Sequence, residues 1–276
     1  MSEFGALAAR YDGFIVDLWG VVHDGVRPYP GVLDCLARLR AAGKPVVFLS
    51  NAPRRPCGIA KTLGDMGVTT AHYAGIMSSG ESVYLALRDR NDADFADLGT
   101  KLYHLGPMRD RDVFDMPSLT QVATPAEADF LLNTGPDDHL GPSDLSAYEP
   151  VLNAALAANI PMVCANPDLE VVRDGKRIIC AGLLANWYAE RGGKVIQRGK
   201  PDPAIYKPTL AMLGTAPART LAIGDSLRTD MAGAKAANID ALWVLSGIHA
   251  LHPGDAPEQA AAAGIAPVAI LPGLRW

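Results

Sequence analysis

An α/β fold built on a parallel sheet is predicted from three features of the chain. Short runs rich in β-branched and aromatic residues recur, segments of helical periodicity separate them, and each run ends in a polar residue. Such runs are too short for buried helices, and strands this apolar need crossover helices on both faces of their sheet. Ligands of sheets of this kind bind beyond the carboxyl ends of the strands.

The elements follow in order. FIVDLW (14–19) is the first strand, with Asp17 near its end. In GVLDCLARLRAAG, Val32, Leu33, Leu36 and Leu39 recur at helical spacing and Gly43 closes the helix. VVFLSN (46–51) is the second strand and ends on Ser50-Asn51. After MSSGESVYLALRDR (77–90) come a loop-rich stretch, the strand ADFLLNTG (128–135), the helix DLSAYEPVLNAALAA (144–158) and the strand IPMVCANPD (160–168). This middle part has the size and rhythm of a separate α/β unit. The expected organisation is a core of residues 1–79 and 182–276 interrupted by an inserted domain, 80–181. TLAIGD (220–225), the helical TDMAGAKAANID and ALWVLS (241–246) complete the core.

Composition narrows the function. The chain has 276 residues, 49% of them apolar and 20% charged, enough for one large or two modest cores. A net charge of -5 with scattered Lys and Arg argues against nucleic acid and against an anionic membrane surface. MSEFGALAARYDG lacks the pattern of a signal peptide, and no apolar run approaches the ~18 residues that span a bilayer. A cytoplasmic protein acting on small molecules is expected. Cys35, Cys57, Cys164 and Cys180 have no metal-binding spacing and read as reduced thiols, three of them in apolar surroundings.

Four polar clusters remain. Singly, Asp17 reads as a loop cap, Ser50-Asn51 as a turn, Lys200 as a surface lysine before a helix, and Asp225 and Asp230 as loop and cap residues. Together they fit phosphoryl transfer to a carboxylate. That reaction needs a nucleophilic Asp, a hard cation held by oxygens, donors for the phosphoryl oxygens and a fixed Lys. Asp17 supplies the nucleophile, Asp225 and the Trp19 carbonyl ligands for the cation, Ser50 and Asn51 the donors, and Lys200 the positive charge.

In this order, Asp17, Ser50, Lys200 and GDSLRTD resemble the four motifs of the haloacid dehalogenase-like hydrolase superfamily. DLWGVVHDG, LSNAPRR, MSSGES, CANPD, RGKPDPAIY and IGDSLRTDMAGA are similar to its class IIA branch, that of N-acetylglucosamine phosphatase-like and 4-nitrophenylphosphatase-like proteins. The resemblance runs from about residue 12 to 250. It implies a Rossmann-like core, an inserted α/β cap of the C2 type, Mg²⁺ and an aspartyl-phosphate on Asp17. Mg²⁺ would sit between Asp17, the Trp19 carbonyl and Asp225, with Asp230 orienting its waters or Lys200. Ser50 Oγ and the Asn51 amide would bind phosphoryl oxygens.

One position departs from the pattern. Phosphatases of the superfamily carry an acid/base Asp two residues after the nucleophile, and here that place is Trp19. Three readings follow: a Mg²⁺-dependent phosphatase of a small phosphorylated metabolite working without that acid or with His23 or Asp24 in its stead, a catalytically weak metabolite-binding or regulatory protein with an intact metal site, and a receiver-type domain, which the inserted unit disfavours. Trp19 itself either fills and dries the space beside Asp17 or stacks on a flat substrate group. Arg54 and Arg55 are candidates to grip a second substrate anion, Asp168 sits near the cap–core junction, and association of copies through the cap is compatible with the sequence. Nothing in residues 80–181 names the substrate.

Overall fold

In the computed structural model, which describes residues 3–173, 176–248 and 254–276, the first apolar run forms β1 (Gly13–Val16), buried throughout. β1 ends where the amides of Val22 and His23 turn back to the Leu18 carbonyl, at 2.8 and 3.1 Å, and this turn leaves Asp17 at the strand's tip. β2 (Val46–Ser50) and β3 (Gly75–Ser78) follow. The middle of the chain holds β4 (Lys101–Leu105), β5 (Thr120–Gln121), β6 (Phe130–Asn133), β7 (Met162–Cys164), β8 (Glu170–Arg173), β9 (Lys176–Ile179) and β10 (Val195–Gln197). β11 (Thr220–Gly224), β12 (Asp240–Val244) and β13 (Ala269–Leu271) close the sequence of strands.

The first three and last three strands form one sheet in the order β13-β12-β11-β1-β2-β3, every pair parallel. Because β1 lies between β11 and β2, with Val16 opposite both Ile223 and Phe48, the residues just past these three strands share one edge. Alternation along β1 sends Phe14 and Val16 into a cluster with Leu36, Leu39 and Phe48 on one face. Ile15 joins Leu49, Met77, Tyr206 and Trp243 on the other, so both faces are covered. This is the parallel α/β core expected from the sequence.

A second parallel sheet, β10-β7-β6-β4-β5, forms an α/β cap, with the helix Ser79–Asp89 packed on it through Val83 and Leu87. Past the boundary expected at residue 181, the helix Ala181–Glu190 packs under this sheet and β10 pairs with β7, so the chain leaves the sheet only after Gln197. We infer that the inserted unit extends to about that residue. The antiparallel hairpin β8–β9 pairs with neither sheet. Among the described residues no helix is long and apolar enough to cross a membrane. Cys35, Cys164 and Cys180 are buried, Cys57 is exposed, and all four are free thiols.

Candidate active site

At the carboxyl edge of the core sheet the chain gathers four charges. Lys200 Nζ is buried and donates to Asp17 Oδ1 at 2.7 Å, to Asp230 Oδ1 at 2.6 Å and to the Leu49 carbonyl at 3.0 Å. Burial works against its charge, yet Asp17 and Asp230 together hold its pKa above the ordinary lysine value. Burial pushes the Asp17 carboxyl up to about 8, with the charge of Asp230 adding to the effect and Lys200 opposing it. Asp225 is likewise raised, by burial first and then by Asp17 and Asp230.

Each carboxylate is placed by its backbone. Asp225 accepts the Ile248 amide at 2.7 Å, and Gly20 lies so close that a Cβ there would fall 2.0 Å from Asp225 Oδ2. Gly20 has a φ of +84°, so the turn beginning at Trp19 brings main chain directly against this carboxylate. Asp230 Oδ2 accepts the Ser226 amide at 3.2 Å from the loop that opens the turn Leu227–Met231. Its two oxygens thus tie Lys200 to the loop carrying Asp225.

One oxygen from each of Asp17, Asp225 and Asp230 lies within 4.8 Å of the other two. Three ionised carboxylates with one ammonium leave two negative charges in a buried space, and an all-oxygen donor set is what a hard divalent cation takes. The residues fit such an ion.

Ser50 and Asn51 are buried beside Asp17. Asn51 uses its side chain to brace the site: Oδ1 accepts the Lys200 amide at 2.7 Å, and Nδ2 donates to the Lys200 carbonyl at 3.1 Å and to Asp168 Oδ1 at 2.9 Å. Its backbone amide, rather than its side chain, is therefore the group suited to a ligand. Asp17, Ser50, Asn51, Asp168 and Asp225 line a cavity of about 610 Å³ shared by core and cap.

The sequence model of the family described as Haloacid dehalogenase-like hydrolase matches residues 14–117, and that described as HAD-hydrolase-like matches 197–275. The chain belongs to the haloacid dehalogenase-like hydrolases. Chronophin of Homo sapiens is 26% identical over 259 residues, covering 90% of this chain and 85% of its own. The 4-nitrophenylphosphatase of Schizosaccharomyces pombe is 24% identical over 279 residues, covering 90% and 88%. The crystal structure of a haloacid dehalogenase-like hydrolase from Brucella suis 1330 superposes with a TM-score of 0.85 at 27% identity, over 98% of both chains. These place the chain in the class IIA branch of the superfamily.

In this hydrolase the place two residues after Asp17 holds an indole with a fixed task. Trp19 Nε1 donates to the Val172 carbonyl at 2.7 Å, joining the core turn to the hairpin β8–β9. His23 packs edge-on to the ring at 5.4 Å, and a Cβ on Gly25 would lie 2.5 Å from the indole. His23 faces the cavity, but burial lowers its pKa to about 4, and its Nδ1 accepts the Gly25 amide at 3.0 Å. The ring is therefore neutral at pH 7 and a weak proton donor. Asp24 is occupied by the amides of Val26 and Arg27, at 2.9 and 2.8 Å, which hold its carboxyl below the ordinary range despite partial burial.

The two arginines expected to grip an anion are both engaged. Arg54 reaches the cavity but pairs at 2.8 Å with Asp110 of the cap, a buried carboxylate whose pKa burial raises to about 6 against the pull of Arg54. Arg55 pairs with Glu81 at 2.9 Å and stacks on Tyr84, 3.6 Å from the ring centre. Sequence reasoning passed over Asp110, Val172 and Arg228, whose Nη2 donates to the Pro167 carbonyl at 2.7 Å and holds the cap segment next to Asp168 on the core.

Proposed function

We propose that this hydrolase is a Mg²⁺-dependent phosphatase of a small phosphorylated metabolite, acting through an aspartyl-phosphate on Asp17. The observation that carries the reading is the Lys200 ammonium bound at once to Asp17 and Asp230, beside Asp225, at the mouth of a cavity lined by Ser50 and Asn51.

Asp17, Asp225 and, through its main chain, Trp19 would hold Mg²⁺, with Asp230 behind them bracing Lys200. When bound, the ion offsets the repulsion between a phosphate dianion and Asp17. Lys200 fixes the plane of the Asp17 carboxylate by holding Oδ1 and adds positive charge where the phosphoryl group is transferred. The Ser50 hydroxyl and the Asn51 amide orient the phosphoryl oxygens for in-line attack. The Asn51 side chain keeps the Lys200 loop in register, so a phosphoryl group held at one is aligned with the other. Val171, Val172, Ile178 and Ile179 of the hairpin β8–β9 line the same cavity and would limit water beside Asp17.

The reading is tested by incubating the protein with 4-nitrophenyl phosphate and Mg²⁺, quenching, and locating the adduct by mass spectrometry. A phosphoryl group on Asp17, absent in Asp17→Asn, is the expected result. Release of phosphate with no adduct on Asp17 under rapid quench overturns it. A protein that captures phosphorylated compounds in an intact metal site without turning them over is the second reading, favoured by the indole where a proton-transfer group would stand. Thermal stabilisation by such compounds with neither adduct nor release would select it.

A further inference from the structure

We propose, resting on the phosphatase reading above, that Trp19 sets the substrate class: this site cleaves phosphate monoesters and acyl phosphates whose organic part is uncharged and apolar and whose oxygen leaves as a stabilised anion. Aryl, enol and acyl phosphates belong to this class, and phosphates of simple alcohols do not.

The first support is the engagement of six proton-carrying side chains that line the cavity. Asp17 is held by Lys200, Asp168 by Asn51, Asp110 by Arg54 and Glu170 by Arg177. His23 Nδ1 is occupied by the Gly25 amide. The Trp19 N–H, nearest in sequence to the nucleophile, is committed to Val172. An indole N–H does not give up its proton in any case. An alkoxide would have to leave unprotonated, whereas a phenolate, an enolate or a carboxylate leaves without help.

The second support is the wall facing Asp17. The cap side of the cavity includes the apolar Leu169, Val171, Val172, Ile178, Ile179 and Leu183 beside the charged Arg109, Asp110, Glu170 and Arg177. Four arginines reach the cavity, and each has a carboxylate partner: Arg54 with Asp110, Arg109 with Asp138, Arg177 with Glu170, and Arg228 with Asp168. A second anionic group on the substrate would have to displace one of these carboxylates. An apolar group needs only to displace water from apolar walls. Trp19 links the two supports, because the hairpin that supplies four of these apolar residues joins no sheet and is fastened to the core turn by the indole.

The steps balance. Asp17 attacks phosphorus, the bond to the organic oxygen breaks, and its electron pair leaves with that oxygen as the anion. Water then attacks phosphorus, the bond to Asp17 breaks and regenerates the carboxylate, and one water proton passes to a phosphoryl oxygen to give dihydrogen phosphate.

The experiment is a leaving-group series with Mg²⁺: substituted phenyl phosphates, benzyl phosphate as an apolar alkyl ester of similar size, glycerol phosphate, and acetyl phosphate as an acyl donor. We expect kcat/KM to climb steeply with leaving-group acidity. Benzyl phosphate should fall below phenyl phosphate by ~10²-fold or more, the lower end of what general acid help contributes. Trp19→Phe keeps a ring and removes the N–H. It should raise KM for phenyl phosphate and speed hydrogen exchange in β8 and β9, while the discrimination between phenyl and benzyl esters stays. Benzyl and phenyl phosphates cleaved at similar rates, with Asp17 phosphorylated, would overturn the inference and leave the phosphatase reading standing. Unchanged exchange in β8 and β9 in Trp19→Phe would overturn the fastening. No adduct on Asp17 from any donor would overturn both readings.

Discussion

Replacing Lys200 by Met shortens the side chain by one atom and removes the only cation in contact with Asp17 and Asp230 among the described residues. In the intact protein the cluster of Asp17, Asp225, Asp230 and Lys200 carries two negative charges when ionised, and in the variant it carries three within the same buried space. Removing one partner of a buried ion pair typically costs ~3–5 kcal/mol. Asp17 and Asp225 already have raised pKa values and relieve part of that cost by taking up protons, so the lower end applies at neutral pH. For a chain of this size each kcal/mol moves Tm by ~2–4 °C, which gives a fall of ~6–12 °C. Thermal unfolding followed by circular dichroism, with and without Mg²⁺, at pH 7 and pH 5, reads this directly. The deficit should shrink at pH 5, where the carboxylates protonate more readily, and in Mg²⁺, which replaces the missing positive charge. A Lys200→Met protein whose Tm matches the parent at pH 7 without metal would refute the claim that the ammonium offsets buried negative charge.

Three further outcomes are expected. The metal-free protein should lose stability as pH rises from 3.8 towards about 8, because Asp17 binds a proton in the fold that the unfolded chain releases over that window, and the raised carboxyl of Asp225 acts in the same direction; saturating Mg²⁺ should flatten the slope, and scans of Tm against pH check it. Asp225→Asn and Asp17→Asn each remove an anionic oxygen ligand and should weaken Mg²⁺ binding by tenfold or more, roughly the cost of one charged ligand at a hard-cation site, as measured by calorimetry. Trp19→Asp should raise cleavage of benzyl phosphate relative to phenyl phosphate by part of the ~10²–10⁴-fold that general acid–base help contributes. A folded, Mg²⁺-binding Trp19→Asp protein with an unchanged ratio of the two esters would show that the leaving oxygen of benzyl phosphate was not waiting for a donor.

Asp17, Ser50 and Asp225 were readable as neighbours because each lies at the end of a strand visible as an apolar run, and a parallel sheet with β1 between β2 and β11 must bring those ends together. The joint between core and cap was less readable. The segment KVIQRGK carries the three-residue strand β10, too short to stand out from the loop leading to Lys200, so its pairing with β7 is not legible in the sequence. In the segment EVVRDGKRII, Asp174-Gly175 is a turn dipeptide between two β-branched pairs, a hairpin signal weakened by the lack of alternation around it, and those two residues lie outside the described ones. Arg54 shows a different limit. Its type and place beside Ser50 suggested an anion grip, but its partner Asp110 lies 56 residues away on the cap, and no local pattern announces a carboxylate from another sheet. Trp19 is the sharpest case. Filling space and stacking on substrate were the two uses its residue type suggests, and the fold adds a third through the indole N–H. The acceptor is the main-chain carbonyl of Val172, 153 residues on. A carbonyl is present at every position, so no choice of residue at 172 could mark that contact in the sequence. It comes from the path of the hairpin, whose Val171, Val172, Ile178 and Ile179 line the same cavity as Asp17.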